Sequence, residues 1–159
     1  MKILFIRHSL AVERDEFLGH DFDRPLTDKG KKRAKRFFEK TSLIYPKIDV
    51  IYTSTAKRAL ETAEILKFFY PEAKFVTSNL LLPGATIHEL KKLLNGTEAE
   101  VVAVVGHEPD LSSFVKELVY APNLKIKLQK PSLVEIEDMV LKSLLQYKHL
   151  KAIDEKNHT

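Results

Sequence analysis

Arg7-His8-Ser9 closes an apolar run, Ile3-Leu4-Phe5-Ile6, and a second histidine, His107, follows another, Val101 to Val105, through Gly106. Between them, Asp49-Val50-Ile51-Tyr52-Thr53 leads through Ser54 to Lys57-Arg58. An apolar run without helical spacing reads as a strand buried on both faces of a parallel sheet. Residues just past the carboxyl ends of such strands stand at the sheet edge, where open α/β folds bind ligands. If the three runs lie parallel, Arg7, Arg58, His8 and His107 converge on one pocket. Crowded cations cost energy unless an anion compensates them. Phosphate fits, because the guanidinium fork matches its oxygens. Arg58 also falls in the first turn of a helix, where free N–H groups favour an anion. Singly, each piece has a plainer reading. Arg7-His8 is a common accident after a strand, His107 a hydrogen-bonded core histidine, and Arg58 a partner of Glu61 or Glu64 on its own helix, worth about 0.2–0.5 kcal/mol. Their joint placement carries the argument.

The elements that must position them alternate strand and helix. Lys2 to Ile6 is the first strand, and as a strand-end residue His8 is expected to be exposed. A polar loop from Leu10 to Leu26 follows, with five acids: Glu13, Asp15, Glu16, Asp21 and Asp23. Thr27 reads as an N-cap opening a helix to about Lys40. The second strand is Asp49 to Thr53, with a helix from Ser54-Thr55 to about Phe69. Lys74 to Thr77 is a short strand, and Thr86 to Leu94 a helix closed by Asn95-Gly96. Val101 to Val105 is the most apolar strand and is expected at the centre, followed by Gly106-His107-Glu108-Pro109 and a helix from about Asp110 to Val119. Lys125 to Leu150 reads as two or three strands with an antiparallel element, or alternatively as containing a helix. The alternation predicts one three-layer α/β domain over 1–153, with a mostly parallel central sheet flanked by helices and an antiparallel element near the C-terminus. Residues 154–159 read as a flexible tail.

At 159 residues the chain can build a core without staples, and it has no cysteine. That excludes disulfides, thiolate metal sites and a cysteine nucleophile. No apolar stretch approaches the length of a membrane span, and the start lacks the shape of a signal peptide, so a cytoplasmic protein without membrane partners is expected. The net charge is +4, with a basic run from Lys29 to Arg36. That run reads as the solvated face of a helix before it reads as a nucleic-acid site. A histidine metal site using His8, His107, His20 or His88 is the weaker third reading, because the spacings match no helical metal motif.

The constellation resembles the histidine phosphatase superfamily, which includes the phosphoglycerate mutases. Arg7-His8-Ser9, Thr53-Ser54 with Arg58-Ala59 and Thr62-Ala63, and Gly106-His107 carry the resemblance. Ala11, the block Asp23-Arg24-Pro25-Leu26-Thr27 with Gly30, the Gly106-His107-Glu108-Pro109 turn and the compact length point to its short, SixA-like branch. The resemblance implies a phosphoglycerate mutase-like fold and a metal-independent phosphatase with no cofactor. It implies His8 as the nucleophile of a phosphohistidine intermediate, with Arg7, Arg58 and a protonated His107 on the phosphoryl oxygens. A protonated His107 implies activity lost at high pH. Ser9 and Thr53 are secondary phosphate contacts under the same reading, with Thr53 equally readable as a plain strand-end residue. The implied substrate is phosphohistidine in a protein, with a small phosphorylated molecule second. A non-catalytic phosphate- or nucleic-acid-binding module is the alternative of another class. The larger members' glutamate general acid has no counterpart in Ser78-Asn79-Leu80-Leu81-Leu82-Pro83-Gly84. Asp15, Glu16, Asp21, Asp23 and Glu108 remain as candidates, and the acid is left unassigned.

Overall fold

The protein is described by a computed structural model over residues 1–157, with side chains described as far as Ile153. Six strands form one sheet: β1 (Lys2–Arg7), β2 (Val50–Ser54), β3 (Lys74–Ser78), β4 (Val101–Gly106), β5 (Ser132–Glu137) and β6 (Val140–Gln146). Their spatial order is β3-β2-β4-β1-β5-β6. The first four are parallel, β5 runs antiparallel to β1, and β6 runs antiparallel to β5. The apolar run of β1 is unbroken because both of its faces are covered. Leu4 and Ile6 join one core cluster and Ile3 and Phe5 the other. β4, the most apolar strand, lies between β1 and β2, as its composition predicts.

Helices α1 (Asp28–Ile44), α2 (Lys57–Phe69) and α5 (Tyr147–Asn157) flank the first cluster; α3 (Ile87–Leu94) and α4 (Asp110–Leu118) flank the second. Thr27 caps α1 by accepting from the Gly30 amide. That helix runs past the expected Lys40, because Phe37, Phe38 and Thr41 turn to the core and anchor a further turn. Its basic run is the solvated face: Lys29, Lys31, Lys32, Lys35 and Arg36 are exposed, while Gly30 and Ala34 are buried. Thr86 and Glu89 form a capping box at α3, and Gly96 ends that region at φ +81°.

The C-terminal region resolves into two strands and a helix. The β5–β6 hairpin turns on Asp138 and Met139, both at positive φ, as a two-residue turn of matching twist requires. α5 carries the chain into the segment read as a tail, whose last two residues lie outside those described.

Gly30 fixes how β1 meets α1. A Cβ there would run into the Leu10 carbonyl oxygen, so the absence of a side chain lets the chain after β1 lie against the helix. Ser9 Oγ donates to the Gly30 carbonyl at 2.7 Å, and Thr27 N to the Leu10 carbonyl at 3.0 Å. Gly30→Ala must part these backbones and is expected to cost about 1–3 kcal/mol in urea unfolding. An unchanged midpoint would show that the contact relaxes freely.

Candidate active site

The register of the parallel strands sets the site. Arg7 pairs with Gly106 across β1 and β4, and the His8 amide donates to the Gly106 carbonyl at 3.2 Å. His8 and His107 therefore leave neighbouring strands at one level, with ring centroids 5.3 Å apart. Arg58 enters from the first turn of α2, which follows β2 on the other side of β4. Arg7, His8, Arg58 and His107 all line one cavity of about 320 Å³. The structure thus brings four of the five expected site residues together.

Ser9 is the fifth, and it stands behind the site. Its hydroxyl donates to Gly30 and its amide to Thr62 Oγ1 at 3.1 Å, so it ties β1 to α1 and α2. Thr53 is buried and donates to the Ser54 carbonyl at 3.1 Å. Neither lines the cavity.

His8 is buried, at 5% exposure, not exposed as its strand-end position predicts, in a cavity whose lining also draws Glu13, Arg14, Asp15 and Arg24 from the loop after β1. Its Nδ1 lies 2.7 Å from the Ser9 carbonyl oxygen. A carbonyl only accepts, so Nδ1 carries the proton and Nε2 keeps its lone pair. Burial holds the imidazole well below its ordinary pKa; the Ser9 bond opposes this, and His107, Arg58 and Lys130 add to it. His8 is neutral, the form a nucleophile needs.

His107 departs from the protonated form expected of it. Burial pushes its pKa down to about 3, with Arg58 adding to the shift. Its Nε2 lies 2.9 Å from Ser54 Oγ, which also accepts from the Ala56 amide at 3.2 Å. The hydroxyl keeps both a lone pair and its hydrogen for Nε2, so the contact suits either tautomer of neutral His107; with the hydroxyl donating, the ring proton sits on Nδ1. Arg7 donates from Nη1 to the Leu128 carbonyl at 2.5 Å. Arg58 donates to Asp21, through Nη1 to its carbonyl at 3.0 Å and through Nη2 to its carboxylate at 3.3 Å. Burial lowers the pKa of both guanidiniums from the ordinary value.

Among the described residues, four buried side-chain polar atoms lack a hydrogen-bond partner: Arg7 Nε, Arg58 Nε, His107 Nδ1 and Ser132 Oγ. The first three belong to cavity-lining residues, and Ser132 pairs with Arg7 across the sheet. Buried donors without partners are rare and cost about 1–3 kcal/mol each. Two guanidiniums and a second imidazole lining one cavity suit an anion with several oxygens.

Sequence reasoning missed part of the shell. Lys130, two residues before β5, lines the cavity, and burial and Arg7 lower its pKa. Arg14 and Arg24 also line it. Both meet Asp21 Oδ1, Arg14 at 3.4 Å and Arg24 at 3.1 Å, so Asp21 links three arginines. Burial pushes the Asp21 carboxyl up, but the Arg24 hydrogen bond and the three positive charges prevail and hold it low.

Of the candidate acids, Asp15 and Glu108 line the cavity, together with Glu13. Glu108 is occupied at the start of α4, accepting from the Ser112 amide at 2.8 Å and its hydroxyl at 2.5 Å. From the segment after β3 only Pro83 reaches the cavity. That loop is held by Asp110, which accepts from the Gly84 and Ala85 amides at 2.9 and 3.1 Å.

Comparison with known proteins agrees with this geometry. Residues 3–75 match the model of the histidine phosphatase superfamily, branch 1. An uncharacterised protein of Picosynechococcus is 32% identical over 124 residues, covering 76% of this chain and 74% of that one. The mitochondrial serine/threonine-protein phosphatase PGAM5 of Xenopus tropicalis is 38% identical over 85 residues, 54% of this chain and 30% of its own length. Among solved structures, one assigned as the phosphohistidine phosphatase SixA of Agrobacterium tumefaciens superposes with a TM-score of 0.78 at 20% identity, covering 91% of this chain and 96% of that one.

Proposed function

The chain belongs to the histidine phosphatase superfamily, and from that premise we propose that it hydrolyses phosphohistidine carried by a protein, through a phosphoenzyme on His8. The observation that carries the reading is the cavity that Arg7, Arg58 and His107 line together with a neutral His8, each of the three holding a buried nitrogen without a partner. They supply donors for the phosphoryl oxygens, where charge is redistributed in the transition state. His8 Nε2 attacks phosphorus in line as the bond to the substrate nitrogen breaks; the substrate ring, already protonated from solvent at its free nitrogen, takes that bond's electron pair and departs as a neutral imidazole. Water then attacks the phosphorus. The N–P bond returns its electron pair to Nε2, and both water hydrogens leave with the phosphate as H₂PO₄⁻. The Nδ1–H to Ser9 bond holds the tautomer throughout.

A second reading, hydrolysis of a serine or threonine phosphomonoester, is favoured by the likeness to PGAM5 and by Glu13 and Asp15 in the cavity. Turnover of a phosphohistidine protein, a phosphoserine peptide and an aryl phosphate under one set of conditions tests both. Phosphohistidine is expected to lead in kcat/KM, and phosphoserine leading would overturn the first reading.

The low pKa values of the free protein also set a pH dependence. kcat/KM reports free-enzyme ionisations, and both histidines lose their protons well below neutrality. With an aryl phosphate, which is dianionic throughout and whose leaving group needs no proton, kcat/KM is expected to stay flat from about pH 7 to about pH 8.5. This reverses the high-pH loss that a protonated His107 implies. A fall of about tenfold per pH unit across that window would restore the charged form.

A further inference from the structure

Beside the catalytic cavity, and sharing Arg7 and Lys130 with it, lies a second concavity of about 430 Å³. Arg33, Lys127, Lys148 and Lys151 complete its charged lining, and among the described residues no carboxylate lines it. We infer that this groove is a subsite for an acidic stretch of a protein substrate, holding aspartate or glutamate side chains that flank the phosphorylated residue. The inference rests on the phosphatase reading and adds to it the class of sequence around the scissile group.

The groove is held in place by its own hydrogen bonds. Gln146, buried at the end of β6, accepts from the Gln129 amide at 2.8 Å and donates to the Lys127 carbonyl at 2.6 Å. Gln129 Oε1 accepts from the Lys148 amide at 3.2 Å, joining this wall to the start of α5. The same wall supplies the Leu128 carbonyl that holds Arg7. A chain seated in the groove therefore lies against the segment that aims a phosphate-binding arginine. Lys127 and Lys148 are exposed and form no ion pair among the described residues. Lys130 already bears the cost of its like-charged neighbours, a cost that an anion relieves.

Carboxylate side chains fit this site better than a nucleic acid strand does. Single strands bind through aromatic platforms on which bases stack. Here Tyr147 is buried, and its ring is covered by the Arg33 guanidinium at 4.6 Å. What stays open to an occupant is the pair of Lys127 and Lys148 ammonium groups beside the phosphoryl site, suited to short acidic side chains.

The test is the double variant Lys127→Glu with Lys148→Glu, which leaves every group of the catalytic cavity in place. Its substrates are a phosphohistidine peptide flanked by aspartates, the same peptide flanked by asparagines, and an aryl phosphate. Wild type is expected to favour the aspartate peptide by roughly tenfold in kcat/KM, acting through KM, and the double variant to lose that preference. Aryl phosphate turnover should stay within about twofold, since charge reversal at this rim acts on recognition. Binding of the unphosphorylated aspartate peptide, read by fluorescence anisotropy, keeps the outcome independent of catalysis. Binding to wild type but not to the double variant supports the subsite even if phosphohistidine proves a poor substrate. Equal handling of the two peptides by wild type overturns it, as does a parallel loss of aryl phosphate turnover in the variant. Tighter binding of an oligodeoxynucleotide or of inorganic tripolyphosphate than of the peptide, at the same ionic strength, also overturns it and assigns the groove to that polyanion.

Discussion

Replacing His8 by asparagine is expected to lower turnover by roughly 10⁴-fold or more while the fold persists, because the covalent route is lost with the attacking nitrogen. Asparagine is the informative replacement, since its amide can still donate to the Ser9 carbonyl that holds His8 Nδ1. Rapid quenching should trap an acid-labile, base-stable phosphoenzyme in wild type and none in the variant. Turnover within about tenfold of wild type would sink the mechanism. Stability supplies an independent reading. His8 is depressed in the folded protein, so below its unfolded pKa the unfolded chain takes up a proton that the folded chain refuses. Wild-type stability from this group therefore falls as pH drops below about 6.5, by up to about 1.4 kcal/mol per unit until the folded pKa is reached. His8→Asn removes that slope. The variant should gain on wild type at pH 5 relative to pH 8, whatever its activity.

The legible part of the site is the part that sheet topology places without help. Arg7, His8 and His107 follow two strands that pair in parallel register, so an apolar run and its last residue suffice to locate them. Arg58 follows from helix start and strand end together. Lys130 was hidden because its place depends on β5 lying antiparallel to β1, which brings a strand's beginning beside another strand's end. Nothing local to Lys130-Pro131 says so. The Asp21 hub was hidden for a different reason. Five acids and two arginines in one loop read as solvated surface, and only the folded loop shows Arg58 reaching across to one of them. His107 stands at the strand end where the sequence puts it, but its charge in the free protein depends on burial and on Arg58, and both are tertiary facts. In the C-terminal region, the turn at Asp138-Met139 carries no glycine to mark it, and the end of β6 and the start of α5 share one short apolar segment.

The same cavity makes the leaving group decisive. Expelling an alkoxide from a phosphomonoester needs a proton at the leaving oxygen, and a placed general acid supplies about 10²–10⁴-fold there. The carboxylates near His8 are poorly suited to that task. Asp21 is held ionised by three arginines, and Glu108 is committed to Ser112. Only Glu13 and Asp15, on the loop after β1, line the cavity without a hydrogen bond to another side chain among the described residues. A phosphorylated imidazole escapes the requirement, because its ring accepts a proton from solvent at the free nitrogen and leaves neutral. kcat/KM is therefore expected to rank phosphohistidine first, aryl phosphate second and alkyl phosphate last, with alkyl esters behind by about 10²-fold or more. Among the esters, the rate should fall steeply as the leaving group becomes more basic. The series is to be run on wild type and on Glu13→Gln, Asp15→Asn and Glu108→Gln. Alkyl phosphates matching phosphohistidine, together with selective loss of that activity in one variant, would identify a working acid on this loop. The chain would then be a phosphomonoesterase, and the phosphohistidine assignment would fall with the premise that no acid is placed.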